Sequence, residues 1–392
     1  MPGLTELPPE LCLLVASHLP VSDLCSLRVS CSALKNICDL ETVWVSRCQQ
    51  DFRVQIRADI PAKYLYQNLL FKYGCLIGIW QRHNLKFYGG LLRVYYEAET
   101  GCIIFENLLP APDIYQDLRR QRFLTLSLTS DRSGVTVENQ DLLTFREKAV
   151  IRLEEEEEFS VTVPSLTDYI SSPAEWRELL DTFREWDTSN NTEAAIMKFV
   201  SVFHNRNIFL YSRVLTPSWV QHHHGASQVS GSAILSSLAP GVFKGHYGCH
   251  GIELVHLQDG QGVKLTGDPN VPFNQVTFRV TRRDCLDLSL EQQRSVSQVR
   301  EATEDPGGCQ ESGGTSQEGR ANFLVPDGMV ERTPVTWRDC LGRWPAEVQI
   351  ASQMFQDSQF ILANFVLFSQ DEFAVMLLDL NTISLYHRAK EL

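Results

Sequence analysis

The residues best suited to chemistry cluster in the second half of the chain, beginning with Thr266-Gly267-Asp268-Pro269-Asn270-Val271-Pro272. Gly267 opens backbone conformations closed to other residues. Asp268 and Asn270 are the residue types whose side chains fold back onto backbone donors to make turns. The same two side chains can hydrogen-bond the end of a bound peptide. A carboxylate at Asp268 accepts donors and repels a free chain-terminal carboxylate, so it suits an amidated terminus or a backbone amide. The plain alternative is a purely structural tight turn. Lys244, Tyr247 and His250 lie just upstream and join the candidate binding set. Lys244 either offsets negative charge on a ligand or sits in solvent.

Other groups point away from catalysis. Cys249-His250 is the one adjacent Cys-His pair, but neighbouring strand residues face opposite sides, so it makes no nucleophile–base dyad. In His222-His223-His224 the outer two can share a face, yet no third ligand is in view, and a solvated loop is the plain reading. The eleven Cys are odd in number and contain no CxxC pair, which excludes a zinc-built RING. Cys12, Cys25, Cys31, Cys38 and Cys48 read as small hydrophobes. Glu154 to Glu158 reads as a solvated turn able to steer a basic partner. No catalytic residue, metal site or cofactor is expected.

These residues need elements to position them. Residues 4–50 read as short helices: Pro8-Pro9 opens the first, with Leu11, Leu14, Val15 and His18 at helical spacing. Pro20 stops it, and Ser22 is the expected cap of a second helix carrying Leu24 and Leu27. A third covers 32–39, and a fourth contains Trp44, Arg47, Cys48 and Asp51. About fifty residues bury little surface, so some of this module's leucines await a partner. Residues 51–75 read as a helical connector. From residue 76 alternating strand patterns dominate, with no βαβ rhythm, and this predicts an antiparallel barrel over 76–392. Two helices, around 172–183 and 196–203, interrupt it. Residues 286–320, rich in Gln, Ser, Glu and Gly, read as a flexible insertion. The fold class is therefore α+β: a small all-helical module, then a largely antiparallel, barrel-like domain with a few inserted helices.

The 392 residues carry 43% hydrophobic and 21% charged side chains and a net charge of −13. An acidic chain is a poor fit to nucleic acid or to anionic membranes. No apolar run is long enough for a spanning helix. Glu6, Glu10 and Pro8-Pro9 break any secretory signal. A cytoplasmic or nuclear location with reduced thiols is the expectation.

Leu7-Pro8-Pro9-Glu10-Leu11, Leu19-Pro20-Val21-Ser22-Asp23-Leu24, Leu27-Arg28-Val29-Ser30-Cys31 and the distal Trp44 together resemble an F-box. The resemblance implies docking on the Skp adaptor, and through it on cullin and RING subunits, by Leu7, Pro8, Leu11, Leu14, Leu19, Pro20, Leu24, Leu27 and Trp44. The rest resembles the D-type-cyclin-binding barrel found in one family of F-box proteins. The stretches that carry this are Ile79-Trp80-Gln81, Tyr88-Gly89-Gly90-Leu91-Leu92, Gly241 to Gly245, Tyr247-Gly248, His250 to Glu253, Thr266 to Pro272 and Ser384-Leu385-Tyr386. It implies a substrate-recognition subunit of a Skp–cullin–F-box ubiquitin ligase, whose barrel reads the C-terminal tail of a protein substrate. Family members carry a Cys/His zinc site in the region matching about 130–170. No Cys or His lies between Cys102 and His204 here, so the resemblance fails at that site. Two other readings stay open: a barrel that binds a small ligand, and an F-box scaffold that does not promote degradation.

Overall fold

The structure, a computed structural model, describes residues 7–56, 59–83, 87–129, 135–139, 150–155, 157–162, 208–213, 238–304 and 320–390, with a few isolated positions elsewhere. The chain divides into two compact units. The first comprises Met1–Trp80, Leu92–Asn107 and Gln121–Pro164; the second comprises Gln81–Leu91, Leu108–Arg120 and Ser165–Leu392.

The first unit opens with four helices: α1 (Pro9–His18), α2 (Val21–Arg28), α3 (Ser32–Cys38) and α4 (Glu41–Phe52). Pro9 sits at the first turn of α1, where a missing N–H costs nothing. α2 begins one residue before Ser22, with Pro20 at the cap position, so Ser22 is not the cap. Cys31 caps α3 through its sulfur, which accepts from the Leu34 N–H. Inside the module Leu24, Cys38, Val43 and Cys48 are fully enclosed. The Trp44 indole N–H donates to the Cys38 carbonyl at 2.9 Å.

A helical run follows: α5 (Ala62–Leu65), a π turn (Tyr66–Leu70), α6 (Phe71–Tyr73) and a 3₁₀ turn (Gly74–Leu76). It packs onto α4. Trp44 meets Tyr66 edge-on at 5.3 Å, and the Tyr66 hydroxyl donates to Asp51 at 2.7 Å. Asp39 accepts from Arg28 Nε at 2.7 Å and from Lys63 Nζ at 2.5 Å. Those two cations hold its pKa down at about 2. The expected connector is thus part of the module's packing.

Seven strands come next: β1 (Gly78–Arg82), β2 (Leu91–Glu97), β3 (Cys102–Leu109), β4 (Arg119–Leu128), β5 (Val135–Asn139), β6 (Val150–Glu155) and β7 (Glu158–Thr162). They run in the order β5-β4-β3-β2-β1, with β6 and β7 as an antiparallel hairpin. β8 (Ile208–Arg213) belongs to the second unit.

The barrel is built from β9 (Gly241–His246), β10 (Ile252–Gln258), β11 (Gln261–Lys264), β12 (Val276–Val280), β16 (Gly342–Ser352), β17 (Gln356–Leu367), β18 (Glu372–Leu377) and β19 (Thr382–Arg388). Between β12 and β16 lie α7 (Leu290–Arg294), α8 (Val296–Glu304) and the two-residue strands β13 (Ala321–Asn322), β14 (Val330–Glu331) and β15 (Asp339–Cys340). Neighbouring barrel strands are antiparallel. Pairing of Tyr386 with Gly245 and of Arg388 with Phe243 joins β19 back to β9 and closes the ring. Closure leaves no sheet edge among these strands, which is why so many short strands hold together.

Alternation sorts the side chains. Phe243, Val255, Leu257, Phe278, Trp344, Phe365, Phe373 and Tyr386 fill the interior. Phe373 stacks on Tyr386 at 4.6 Å and on Phe365 at 4.8 Å. Glycines opposite the rings make room for them: a Cβ on Gly262 would come within 2.4 Å of Phe278, and one on Gly245 within 2.2 Å of Tyr386. Among the described residues these side chains pack the interior, unlike that of a barrel built around a ligand. The outward residues Val366, Ala374, Met376, Ile383 and Leu385 form a second core with Val299 of α8 and Phe323.

Two expectations change here. Among the described residues the strand-rich region holds an eight-stranded sheet and a two-stranded ribbon besides the nine-stranded sheet that closes into the barrel. Leu286, Leu288, Gln293 and Val299 are buried, so residues 286–304 are ordered helical packing instead of a flexible insertion. Its expected flexible remainder, 305–319, lies outside the described residues. So do most of the helices expected near 172–203 and the His222–His224 run.

Candidate functional site

Two surfaces need examination, one on each unit. On the helical module, α1 turns its small residues inward. Cys12 and Ala16, four apart, are its buried positions. The larger Leu11 and Leu14 are 47% and 54% exposed, and Leu7 and Val29 also stay in solvent. Leu40 and Val45 add to this exposed apolar surface. A module this small leaves such side chains outside only by forgoing the stabilisation of about 1.5–3 kcal/mol that burying each would bring.

The predicted adaptor set therefore splits. Leu7, Pro8, Leu11, Leu14 and Pro20 are exposed, and Leu19 and Leu27 are half-buried. Leu24 and Trp44 are different: both are enclosed at 0% and 1% exposure. Their expected role as contact residues is corrected to one of internal support. They share the helical period with the surface leucines, so sequence spacing alone did not separate them.

At one end of the barrel interior four of the predicted substrate residues, Tyr247, His250, Asp268 and Asn270, gather near a cation that sequence reading missed. Lys264, at the end of β11, is fully buried. Its Nζ lies 2.5 Å from Asp268 Oδ2 and 2.7 Å from Glu253 Oε2, and sits over the Tyr247 ring at 4.1 Å. Asp268 Oδ1 accepts the backbone N–H groups of Asn270 at 2.7 Å and Val271 at 2.9 Å. Burial alone would raise the Asp268 pKa, but Lys264 and these donors hold it down at about 2. Glu253 has no such donors. Burial outweighs its attraction to Lys264, and its pKa rises to about 8. Burial also opposes the Lys264 charge, yet the two carboxylates keep its pKa above the usual value. The outcome is a close Lys264–Asp268 ion pair beside Glu253, whose carboxyl burial pushes toward its protonated form.

Tyr247 completes the cluster. Its hydroxyl lies 3.0 Å from Thr277 Oγ1 and 3.0 Å from the Tyr386 hydroxyl. His250, on the 3₁₀ turn Gly248–His250, lies 3.9 Å from Asp268 Oδ1. Its pKa falls below the usual value, first through burial, while the Asp268 charge opposes the fall. Asn270 Nδ2 donates to the Ala351 carbonyl at 2.8 Å. Gly267 is required by close approach: a Cβ there would lie 2.2 Å from the Phe273 nitrogen. Its N–H donates to the Tyr88 carbonyl.

These contacts correct three expectations. Asp268 is saturated by Lys264 and its own turn, so it is not a free acceptor for a peptide end. Asn270 is committed through its amide to Ala351. Lys244 points out of the barrel, is 1% exposed, and donates to the Gln116 carbonyl at 2.6 Å, so it neither sits in solvent nor offsets a ligand charge. Tyr247 and His250 remain at the rim of the cluster, partly buried. The missed residues Glu253 and Lys264 had one legible signal: Lys264 stands four residues before Asp268, across a turn.

The helical module and closed barrel define a class of protein, and family comparisons give the same division. Residues 4–50 match the F-box-like family, and residues 226–391, which take in the whole barrel, match the cyclin D1 binding domain family. The chain is thus similar to F-box proteins over its helical module and to cyclin D1 binding domains over its barrel. In particular, it resembles F-box only protein 31. It is 28% identical to that protein from Rattus norvegicus over 452 aligned residues, covering 99% of this chain and 85% of the relative. The Mus musculus protein gives 28% identity with the same coverage. The Homo sapiens protein gives 27% over 471 residues, covering 99% and 83%.

Proposed function

We propose that this chain is the substrate-recognition subunit of a Skp–cullin–F-box ubiquitin ligase. The helical module docks on the Skp adaptor, which brings cullin and RING subunits; the barrel-bearing unit holds a protein substrate by a degron in its C-terminal tail. The observation that carries the reading is the set of large apolar side chains left in solvent on α1, Leu11 and Leu14, and just before it, Leu7, within the segment that matches the F-box-like family. The family name of the barrel points to a D-type cyclin as the kind of substrate. In this role the chain makes no bond itself. It raises the local concentration of a substrate lysine beside a charged ubiquitin-conjugating enzyme. A cytoplasmic or nuclear workplace follows from the same reading.

The test is reconstitution. The full chain is combined with Skp adaptor, cullin, RING subunit, conjugating enzyme and a D-type cyclin. Ubiquitin chains on the cyclin that depend on this chain support the receptor role. Adaptor binding without any transfer to a bound partner would instead support the non-degrading scaffold.

A further inference from the structure

On the outer wall of the barrel a cleft of about 700 Å³ is lined by the 112–115 and 332–337 segments, with His246 of β9, Ile252 of β10 and Glu372 of β18. Its charges are unequally satisfied. Glu372 accepts from the Trp337 indole N–H at 2.8 Å and lies 3.2 Å from His387 Nδ1. Asp113 caps its own turn by accepting the Tyr115 N–H at 3.0 Å. Arg332 is different. Its guanidinium donates to the Ser384 hydroxyl at 3.1 Å, and no carboxylate among the described residues lies within ion-pair distance. The nearby Asp268 already answers Lys264. Arg332 lies close to the 248–250 turn, where a Cβ on Gly248 would be 3.9 Å from its Nε. His246 adds a defined donor. Its Nδ1 accepts the Gly248 N–H at 3.1 Å, which places the proton of the neutral ring on Nε2. Burial and the Arg332 charge both favour that neutral form.

We infer that this cleft seats an extended acidic segment of a protein partner, with the side-chain carboxylate of an internal Asp or Glu on the Arg332 guanidinium and flanking apolar side chains against Ile114, Ile252 and Trp337. Arg pairs with carboxylates through two parallel N–H donors, and a pair half-removed from water is stronger than one in solvent. A phosphate dianion would bring nearly two charges to one guanidinium while facing Asp113 and Glu372. A chain-terminal carboxylate is held by nests of backbone N–H groups, whereas the donors here are side chains. The inference rests on the reading that this unit receives a protein segment. It moves the contact from the saturated Asp268 turn to the cleft.

The experiment uses arrays of amidated peptides of about seven residues, built from Leu, Pro, Ser and Tyr around one central Glu. Matched arrays carry Gln or phosphoserine at the centre, or central Gln with a free C-terminal carboxylate. The full chain is expected to be retained roughly tenfold or more strongly on Glu than on Gln arrays. Arg332→Gln is expected to erase that difference with its melting temperature unchanged. The Glu-against-Gln comparison on the unmodified chain stands even where that variant misfolds. Equal retention on Glu and Gln, or strongest retention on phosphoserine or free-acid arrays, overturns the inference and leaves the receptor role intact. Retention on no array overturns the inference and the peptide-receiving barrel together, while adaptor co-purification separately reports on the helical module.

Discussion

In α1 the buried positions are Cys12 and Ala16, while Leu11 and Leu14 remain in solvent. In β17 and β18 the reverse holds: Phe365 and Phe373 are wholly enclosed, and glycines stand opposite barrel rings to admit them. The helical module encloses Leu24 and Trp44 but leaves the leucines of α1 in solvent. The barrel spends its large apolar groups on closure, and even its polar cluster is answered internally, Lys264 by Asp268 and Asp268 by its turn. The recognition surfaces proposed above accordingly lie on outward faces in both units: the exposed leucines of α1 and the Arg332 cleft on the barrel wall.

This contrast breaks most visibly at the barrel core. Phe373→Ala removes a ring stacked on both Phe365 and Tyr386. It is expected to cost about 3–5 kcal/mol, measured as a drop in the midpoint of urea unfolding. Asp268→Ala comes next. It strips Lys264 of its ionised partner and frees two backbone donors, at a cost of about 3 kcal/mol. A loss below about 1 kcal/mol would mean that the turn is held by something else.

Glu253→Gln sharpens the same point through pH. The folded state keeps the Glu253 proton up to about pH 8, whereas an unfolded chain releases it near pH 4.3. The folded form thus binds more protons across that window, and its stability falls as pH rises through it. Gln cannot ionise, so the variant is expected to melt higher than the unmodified chain at pH 8, with the gap closing toward pH 4. A gap independent of pH would contradict the assigned proton. The smallest stability effect belongs to the helical surface. Leu14→Ala is expected to change unfolding free energy by about 0.5 kcal/mol or less, although it removes a large apolar side chain.

Much of this was legible before the fold. Period-two alternation located Ile252 to Leu257, Val276 to Val280 and the last three strands, since each has one face in the barrel and one against the outer core. β16 escaped because Pro345 interrupts it, and proline inside a strand argues against a ladder position. Here Pro345 pairs with Asn364 while Trp344 and Ala346 face inward. Residues 286–304 escaped because their polar composition hides a few anchors. Gln293 is buried only because its amide is shared among Leu288, Asn322, Leu324 and Arg343. The Thr266–Pro272 stretch forms a tight turn around Asp268. Its turn residues were legible, but not the buried Lys264 that occupies Asp268, because that pairing depends on which way β11 faces. The F-box stretches were legible as a motif, though not which of their leucines face out.

The most direct test of the account compares two substitutions in the helical module. The full chain with Leu11→Asp and Leu14→Asp is co-expressed with the Skp adaptor beside the unmodified chain and a Leu24→Ala variant. The account predicts that the double variant loses adaptor co-purification while its melting temperature is unchanged, and that Leu24→Ala lowers the melting temperature because Leu24 is core. Retained adaptor binding by a well-folded double variant would contradict the claim that the solvent-facing leucines of α1 are the docking surface.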